Sequence, residues 1–257
     1  MNSRIRDRRQ AVSRQRGRRR ASLLFVLGLL VAAAVLFVWL RSSDVFAVRT
    51  VTATATERIA QEELSRVASE AIGDSLLRLS TGDLEKALLS LPYVRSAEVY
   101  RSFPNTLDVR LEEYEPVARL QADDGAVWLM AENGRALEVA IPPRGAGLPL
   151  VVPSTDETPV AGQQVSEVVA QALPLAVIIG DEDADECLAS ANAIRVSPSG
   201  ALTIALKGGT ELRLGDPTKL EQKLMAALTI IDQHLRDGEQ LEYVDATVAD
   251  KLAVKPK

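Results

Sequence analysis

The 257-residue sequence contains one cysteine, Cys187, and one histidine, His234. A lone thiol cannot close an intramolecular disulfide, so no disulfide framework holds the fold together. A lone imidazole excludes the usual His-rich zinc sites and leaves any Ser–His–Asp arrangement with one possible base. Phosphate-loop chemistry is also missing. Gly208-Gly209 is not followed by Lys-Ser/Thr and a helix start, and reads as a hairpin turn. The acidic stretch Asp181, Glu182, Asp183, Asp185 and Glu186 puts Glu186 where an EF-hand-like loop needs glycine, and reads as a solvated loop. Carboxylates are plentiful but nowhere paired at a recognisable spacing. The expectation is a chain with no catalytic residue, no cofactor, no metal and no small-molecule substrate, one that binds rather than catalyses.

What the sequence does have is a sharp division of charge. Apolar residues make up 47% and charged residues 25%, the balance of a folded protein. Residues 1–20 hold nine Arg against one acid, Asp7, a net of +8, whereas the other 237 residues carry 21 basic and 34 acidic side chains, a net of −13. Directly after the basic run, Ala21–Leu40 is twenty residues with no charge and only Ser22 polar. A helix of that length spans roughly 30 Å, the thickness of a bilayer's hydrocarbon core, and only a helix crosses there with its backbone groups paired. Trp39 stands at one end, and Arg20 and Arg41 close both. A cleaved signal peptide would have a shorter apolar core, about 7–15 residues, with a small-residue site close behind. Here the nearest Ala-x-Ala, Ala53–Ala55, lies well past the run. A nucleic-acid-binding arm is the other use of an arginine run. Its position against an apolar twenty-mer favours a topological signal instead, with residues 1–20 cytoplasmic and residues 42–257 exported. No other stretch approaches eighteen consecutive apolar residues.

Residues 45–118 read as β-α-α-β-β. The β-branched run around Val48, Val51 and Ala53 suits a strand. Leu64, Val67, Ala68 and Ala71 then share a helix face, and Gly73 fits its stop. A second helix begins near Ser80–Asp83, buries Leu84 and Leu88, and ends before Pro92. A hairpin follows. Ala97 and Val99 alternate with Glu98 and Tyr100, then Leu107, Val109 and Leu111 alternate with Asp108, Arg110 and Glu112, the period of a sheet with one dry face.

Residues 119–254 give short strands and turns: Ala126–Met130, a turn at Glu132-Asn133-Gly134, an extended Arg135–Val139, and a Pro/Gly-rich link Ile141–Pro149. The pattern then predicts a helix over Ser166–Ala176 and strands at Ala193–Ser197, Leu202–Leu206 and Glu211–Leu214. Asp216-Pro217 has the form of a helix start. The helix it opens runs to about Arg236, with Leu220, Leu224, Leu228, Ile231 and Leu235 on one face. Leu241–Asp245 and Thr247–Val254 are expected to be extended, with residues 255–257 beyond them. The fold class is α+β: a transmembrane helix, a small β-α-α-β-β domain, and a mainly antiparallel β domain with a C-terminal helix and closing strands.

Several of these residues carry a resemblance. Phe46, Val48 and Val51, then Leu76-Leu77-Arg78-Leu79, then the segment from Leu91-Pro92-Tyr93-Val94 through Ala97, Val99, Arg101, Pro104, Leu107, Val109 and Glu112 to Pro116-Val117-Ala118 resemble the POTRA-type domain of the bacterial cell-division family FtsQ/DivIB. Glu211–Leu214, Gly215, Lys219, Lys223-Leu224 and Tyr243-Val244-Asp245 are similar to that family's second, mainly β domain. The resemblance implies a membrane-anchored scaffold at the division septum, with no nucleic acid as partner. It would hold FtsB/FtsL-type proteins outside the cytoplasmic membrane and link them to the septal peptidoglycan synthase. It also implies that a partner adds a strand to the last strand. The expected contact residues are therefore Tyr243, Thr247, Val248, Ala249, Asp250, Lys251, Leu252, Ala253 and Val254. A membrane-anchored envelope enzyme would need convergent carboxylates, and an outer-membrane assembly protein would need tandem POTRA repeats with amphipathic strands; neither pattern is present.

The charge asymmetry predicts orientation. Alkaline phosphatase fused after Lys257 should be active in a bacterial host, and replacing most of the nine Arg by neutral residues should lower the active fraction. Activity of a cytoplasm-only reporter at that position would reject the orientation.

Overall fold

A computed structural model describes residues 25–35, 37–39, 44–53, 57–59, 61–181, 184–249 and 251–257. Residues 25–35 and 37–39 are helical (α1), and Phe25, Leu29, Leu30, Val35, Phe37 and Trp39 are each more than half exposed. No helix of the described residues is long and apolar enough to cross a membrane. The basic tail 1–20 lies outside the described residues, and so does part of the expected span Ala21–Leu40.

The chain divides into two compact units: 1–55, 60–86 and 97–111 form the first, and 56–59, 87–96 and 112–257 form the second. The first follows the expected β-α-α-β-β order. Strand β1 (Thr50–Ala53) leads through helices α2 (Gln61–Ala71) and α3 (Thr81–Leu89) to strands β2 (Val94–Ser102) and β3 (Thr106–Glu113). The sheet order is β1-β3-β2, with β1 parallel to β3 and Thr50 opposite Thr106. Parallel neighbours cannot be joined by a tight turn, which is why both helices intervene. Leu64, Ala71, Val99, Leu107, Val109 and Leu111 are buried, as the periods of the sequence predict. The Val99 N–H on β2 donates to Glu85 Oε1 of α3 at 3.0 Å, so a helix side chain satisfies a backbone donor of this outer strand.

The second unit is built on nine strands: β4 (Pro116–Gln121), β5 (Val127–Ala131), β6 (Ala136–Val139), β7 (Leu150–Pro153), β8 (Ala191–Val196), β9 (Leu202–Leu206), β10 (Glu211–Gly215), β11 (Leu241–Asp245) and β12 (Ala253–Pro256). They lie in the order β12-β11-β10-β9-β8-β7-β4-β5-β6. The sheet is mainly antiparallel, as expected, with three parallel pairings within it. β4–β7, β7–β8 and β10–β11 are parallel and the other pairings antiparallel. Strands β4 and β7 were not foreseen as strands, although Leu150-Val151-Val152 carries a β-branched signal.

Three helical pieces, α4 (Glu167–Ala170), α5 (Leu173–Gly180) and α6 (Glu186–Ala189), connect β7 to β8. The single helix expected over Ser166–Ala176 breaks because Pro174, in the first turn of α5, has no N–H to continue the ladder from α4. Ser166 Oγ caps α4 and Asp185 caps α6, so one residue of the acidic stretch serves as a helix cap; Glu182 and Asp183 lie outside the described residues. Helix α7 (Leu220–Arg236) joins β10 to β11. One core gathers Leu120, Met130, Val151, Ile194, Ile204, Leu212 and Val244 from the strands with Leu173 and Leu175 of α5 and Leu220, Leu224, Ala227 and Ile231 of α7.

Helix α7 departs from expectation at both ends. It starts at Leu220, not at Asp216-Pro217, after Lys219 at φ 53°. Asp216 Oδ1 accepts from the Thr218 N–H at 3.0 Å and from the Thr218 hydroxyl, which closes a side-chain turn in place of a helix cap. At the far end Leu235, expected on the apolar face, is 60% exposed, and His234 Nδ1 lies 3.2 Å from Glu239 Oε2. In between, Lys223 is a cation on the buried face. Its Nζ donates to Leu214 O at 2.9 Å and to Asp216 O and Oδ1 at 3.0 Å each, so its three donors meet three acceptors on the end of β10.

Lys223→Met keeps the stem and removes the donors that the Leu214 and Asp216 carbonyls accept. A loss of about 2 kcal/mol in denaturant unfolding is expected. The Asp216 carboxyl is lowered to about 2, first by the Thr218 hydroxyl and then by Lys223. A depressed carboxyl stabilises the fold above its unfolded value near ~3.9 and stops doing so as pH falls through the folded value. The melting temperature of Asp216→Asn should therefore depend less on pH between about 4 and 2 than that of the native chain. An unchanged acid slope would show that this corner does not contribute.

A candidate docking edge

Strand β11 stops because Asp245 Oδ1 turns back to accept the Thr247 N–H at 3.0 Å; the hydrogen bonds from Thr247 also hold the Asp245 carboxyl below its usual range. The Ala246 N–H still reaches Arg213 O on β10 at 2.8 Å, and Lys251 N–H donates to Val248 O at 3.0 Å. The chain is thereby reversed, and β12 returns antiparallel to β11 with Tyr243 opposite Lys255, Val244 opposite Val254 and Asp245 opposite Ala253.

This corrects the expected strand Thr247–Val254. Thr247, Val248 and Ala249 form a bend and turn, Lys251 and Leu252 have no regular structure, and Asp250 lies outside the described residues. Ala253 and Val254 are in β12, together with Lys255 and Pro256, which the expected strand excludes. Alternation alone could not locate the reversal, because the side chain of Asp245 makes it. The proline was the available signal, since proline within a sheet is confined to outer strands and bulges. Tyr243 belongs to β11, where Arg213 stacks on its ring at 4.1 Å from the centroid.

The direction of each backbone group on β12 follows from one bond. The Lys257 N–H donates to Gln240 O at 2.9 Å. In an extended strand successive residues turn their N–H and C=O to opposite sides. Lys257, Lys255 and Ala253 therefore face β11, and Val254 and Pro256 face away. The register shift in this pair adds its extra residue on β11, between Leu241 and Tyr243, so the alternation along β12 is unbroken. The open side offers the Val254 N–H, the Val254 C=O and the Pro256 C=O. The N–H that Pro256 lacks would have pointed outward.

The two faces of the edge differ. Val254 shares a face with the buried Val244, and Leu252 packs partly buried against the core. The other face is charged. Arg195 Nη1 lies 2.8 Å from Glu211 Oε1, Arg213 Nη2 3.4 Å from Glu211 Oε2, and Lys255 Nζ 2.6 Å from Glu242 Oε2. At the opposite end of the sheet β6 is partly covered. Ala136 N–H donates to Gln163 O, and Gly162 N–H to Ala136 O, both at 2.8 Å. Among the described residues no group of three or more His, Cys, Asp or Glu could hold a metal ion.

Residues 46–114 match the model of the POTRA domain, FtsQ-type, and residues 118–246 match that of the C-terminal region of cell division protein FtsQ/DivIB. A POTRA module followed by this second domain defines a class of bacterial division proteins. Cell division protein FtsQ of Anaeromyxobacter sp. (strain K) is 30% identical over 203 residues, 78% of this chain and 67% of the relative. FtsQ of Myxococcus fulvus is 31% identical over 191 residues, 74% of this chain and 66% of the relative. FtsQ of Burkholderia pseudomallei is 29% identical over 254 residues, 91% of this chain and 90% of the relative. The chain belongs to the FtsQ/DivIB family. The second match ends at residue 246, so β12 lies just beyond it.

The turn before β12 rests on a glycine. Gly215, at φ +67°, ends β10, and a Cβ there would come 2.7 Å from Thr247 Cγ2. Gly215→Ala meets both the left-handed backbone and this contact, and should cost about 1–2 kcal/mol in chemical unfolding. Adding Thr247→Ser removes the methyl and should recover part of the loss. If the alanine variant unfolds at the native midpoint, the close approach does not constrain the turn.

Proposed function

We propose that this FtsQ/DivIB-family protein is a non-enzymatic division scaffold. It is held in the cytoplasmic membrane by the apolar run 21–40, with the basic tail inside and the two folded units outside, at the septum. The exposed apolar side chains of α1 and the nine Arg before it support the anchor and its orientation. Its work is to receive an extended segment of an FtsB- or FtsL-type partner beside β12, and through that partner to link to the septal peptidoglycan synthase. One observation carries the reading: β12 is an outer strand whose Val254 N–H and C=O and Pro256 C=O face away from the sheet. A partner strand pairing there would lay alternate side chains against the Val254–Leu252 rim and the charged face.

Proline tests the edge residue by residue. Val254→Pro removes a donor that faces outward and should abolish capture of a co-expressed FtsB-type partner by the full-length protein, with the melting temperature unchanged. Lys255→Pro removes a donor that faces β11 and should lower the melting temperature. Full partner capture by a stably folded Val254→Pro protein would place the docking site elsewhere.

A further inference from the structure

The first unit carries an apolar cluster that its core does not absorb. The rings of Phe46 and Phe103 meet edge to face with centroids 6.0 Å apart, yet Phe103 is 58% exposed, and Val45 and Ile72 are each 56% exposed. These residues come from three separate stretches held to one strip of backbone. Leu76 N–H donates to Phe46 O at 2.8 Å and Gly73 N–H to Val48 O at 3.0 Å, which brings in the turn after α2. Arg49 N–H donates to Asn105 O at 2.9 Å, which brings in the tip of the β2–β3 hairpin. A single exposed apolar residue is ordinary, but three on one strip, one of them packed on the half-buried Phe46 ring, mark a contact surface.

The covalent chain says what covers it. Val45 lies six residues after Trp39, the last described residue of α1, so the two Cα atoms are separated by at most roughly 20 Å. If α1 belongs to a membrane-spanning helix, as proposed above, Trp39 marks its outer end and the Phe46–Phe103 strip lies within reach of the headgroup zone. Aromatic rings and short apolar side chains partition into that zone. We infer that the Val45–Phe46, Ile72 and Phe103 surface seats the first unit on the outer leaflet of its own membrane. The occupant is lipid, in the boundary between headgroups and acyl chains. The inference rests on the anchor reading and adds to it a second, non-covalent membrane contact.

Indole fluorescence in bilayers separates the two. Full-length protein is placed in nanodiscs of phosphatidylethanolamine and phosphatidylglycerol containing brominated acyl chains. W128F leaves Trp39 as the only indole and reports on the anchor; W39F/W128F/F103W reports on the hairpin tip, and W39F/W128F/I72W on the neighbouring turn. Circular dichroism confirms that each variant is folded. Bromine near the glycerol end of the chains is expected to quench both substituted indoles at least two-fold, and bromine at the acyl terminus much less. Iodide in the buffer should quench them weakly. If Trp39 is quenched by lipid while both substituted indoles answer only to iodide, the seating is wrong and the anchor stands. If Trp39 is not quenched by any brominated lipid, both readings fall. Protection of the substituted indoles that arises only when an FtsB-type partner is added would show that protein, not lipid, covers the strip, and would also overturn the proposal.

Discussion

The parallel pairing of β10 with β11 is the constraint from which the β10–β11–β12 end of the second unit's sheet follows. Parallel neighbours cannot be joined by a hairpin, so the chain must leave the sheet, cross one face as α7 and return. That crossing buries Leu220, Leu224, Ala227 and Ile231 against the strands and delivers β11 beside β10. Lys223 closes the corner at its start by meeting the carbonyls of Leu214 and Asp216. A cation at a buried helix position is tolerated only when its donors are filled. With β11 fixed, the Asp245 turn sends the chain back as β12.

Two other outer strands have some of their backbone groups answered within the fold. Glu85 takes the Val99 donor on β2, and the Gly162–Gln163 segment takes the donor and acceptor of Ala136 on β6. Strand β12 is protected differently: it is four residues long and contains a lysine and a proline. Those features discourage indiscriminate pairing without covering the strand. Beside it the sheet presents an apolar rim on one face and, on the other, the Arg195–Glu211–Arg213 row of β8 and β10.

How much of this could be read in advance depended on whether the deciding interaction was local. The period of two through Val99, Leu107, Val109 and Leu111 and the spacing of Leu64 and Ala71 record burial directly, and these residues are buried as expected. The order of strands in the second unit is set by which segments meet in space, so the parallel pairs of β7 with β4 and β8 left no local mark. Boundaries failed where a side chain competed with the backbone. Asp216 bonded to Thr218 instead of capping a helix, and Asp245 bonded to Thr247 instead of letting a strand run on. Pro174 divided one apolar run into two helices. At the candidate edge the expected strand Thr247–Val254 gives way to β12, Ala253–Pro256, because the chain turns before it.

Pro256 has a further consequence. An edge that presents one donor and two acceptors can form about three main-chain bonds, each worth roughly 1 kcal/mol net in water. Translational and rotational losses on association are larger than that sum, so such a ladder could not hold a freely diffusing peptide. It becomes adequate when both chains are confined to the same membrane, because tethering replaces a dilute solution concentration by a local one in the millimolar range. Under the proposed reading, a four-residue strand with a proline gives a contact whose occupancy is governed by how many partners share the membrane patch, and which dissolves when they disperse.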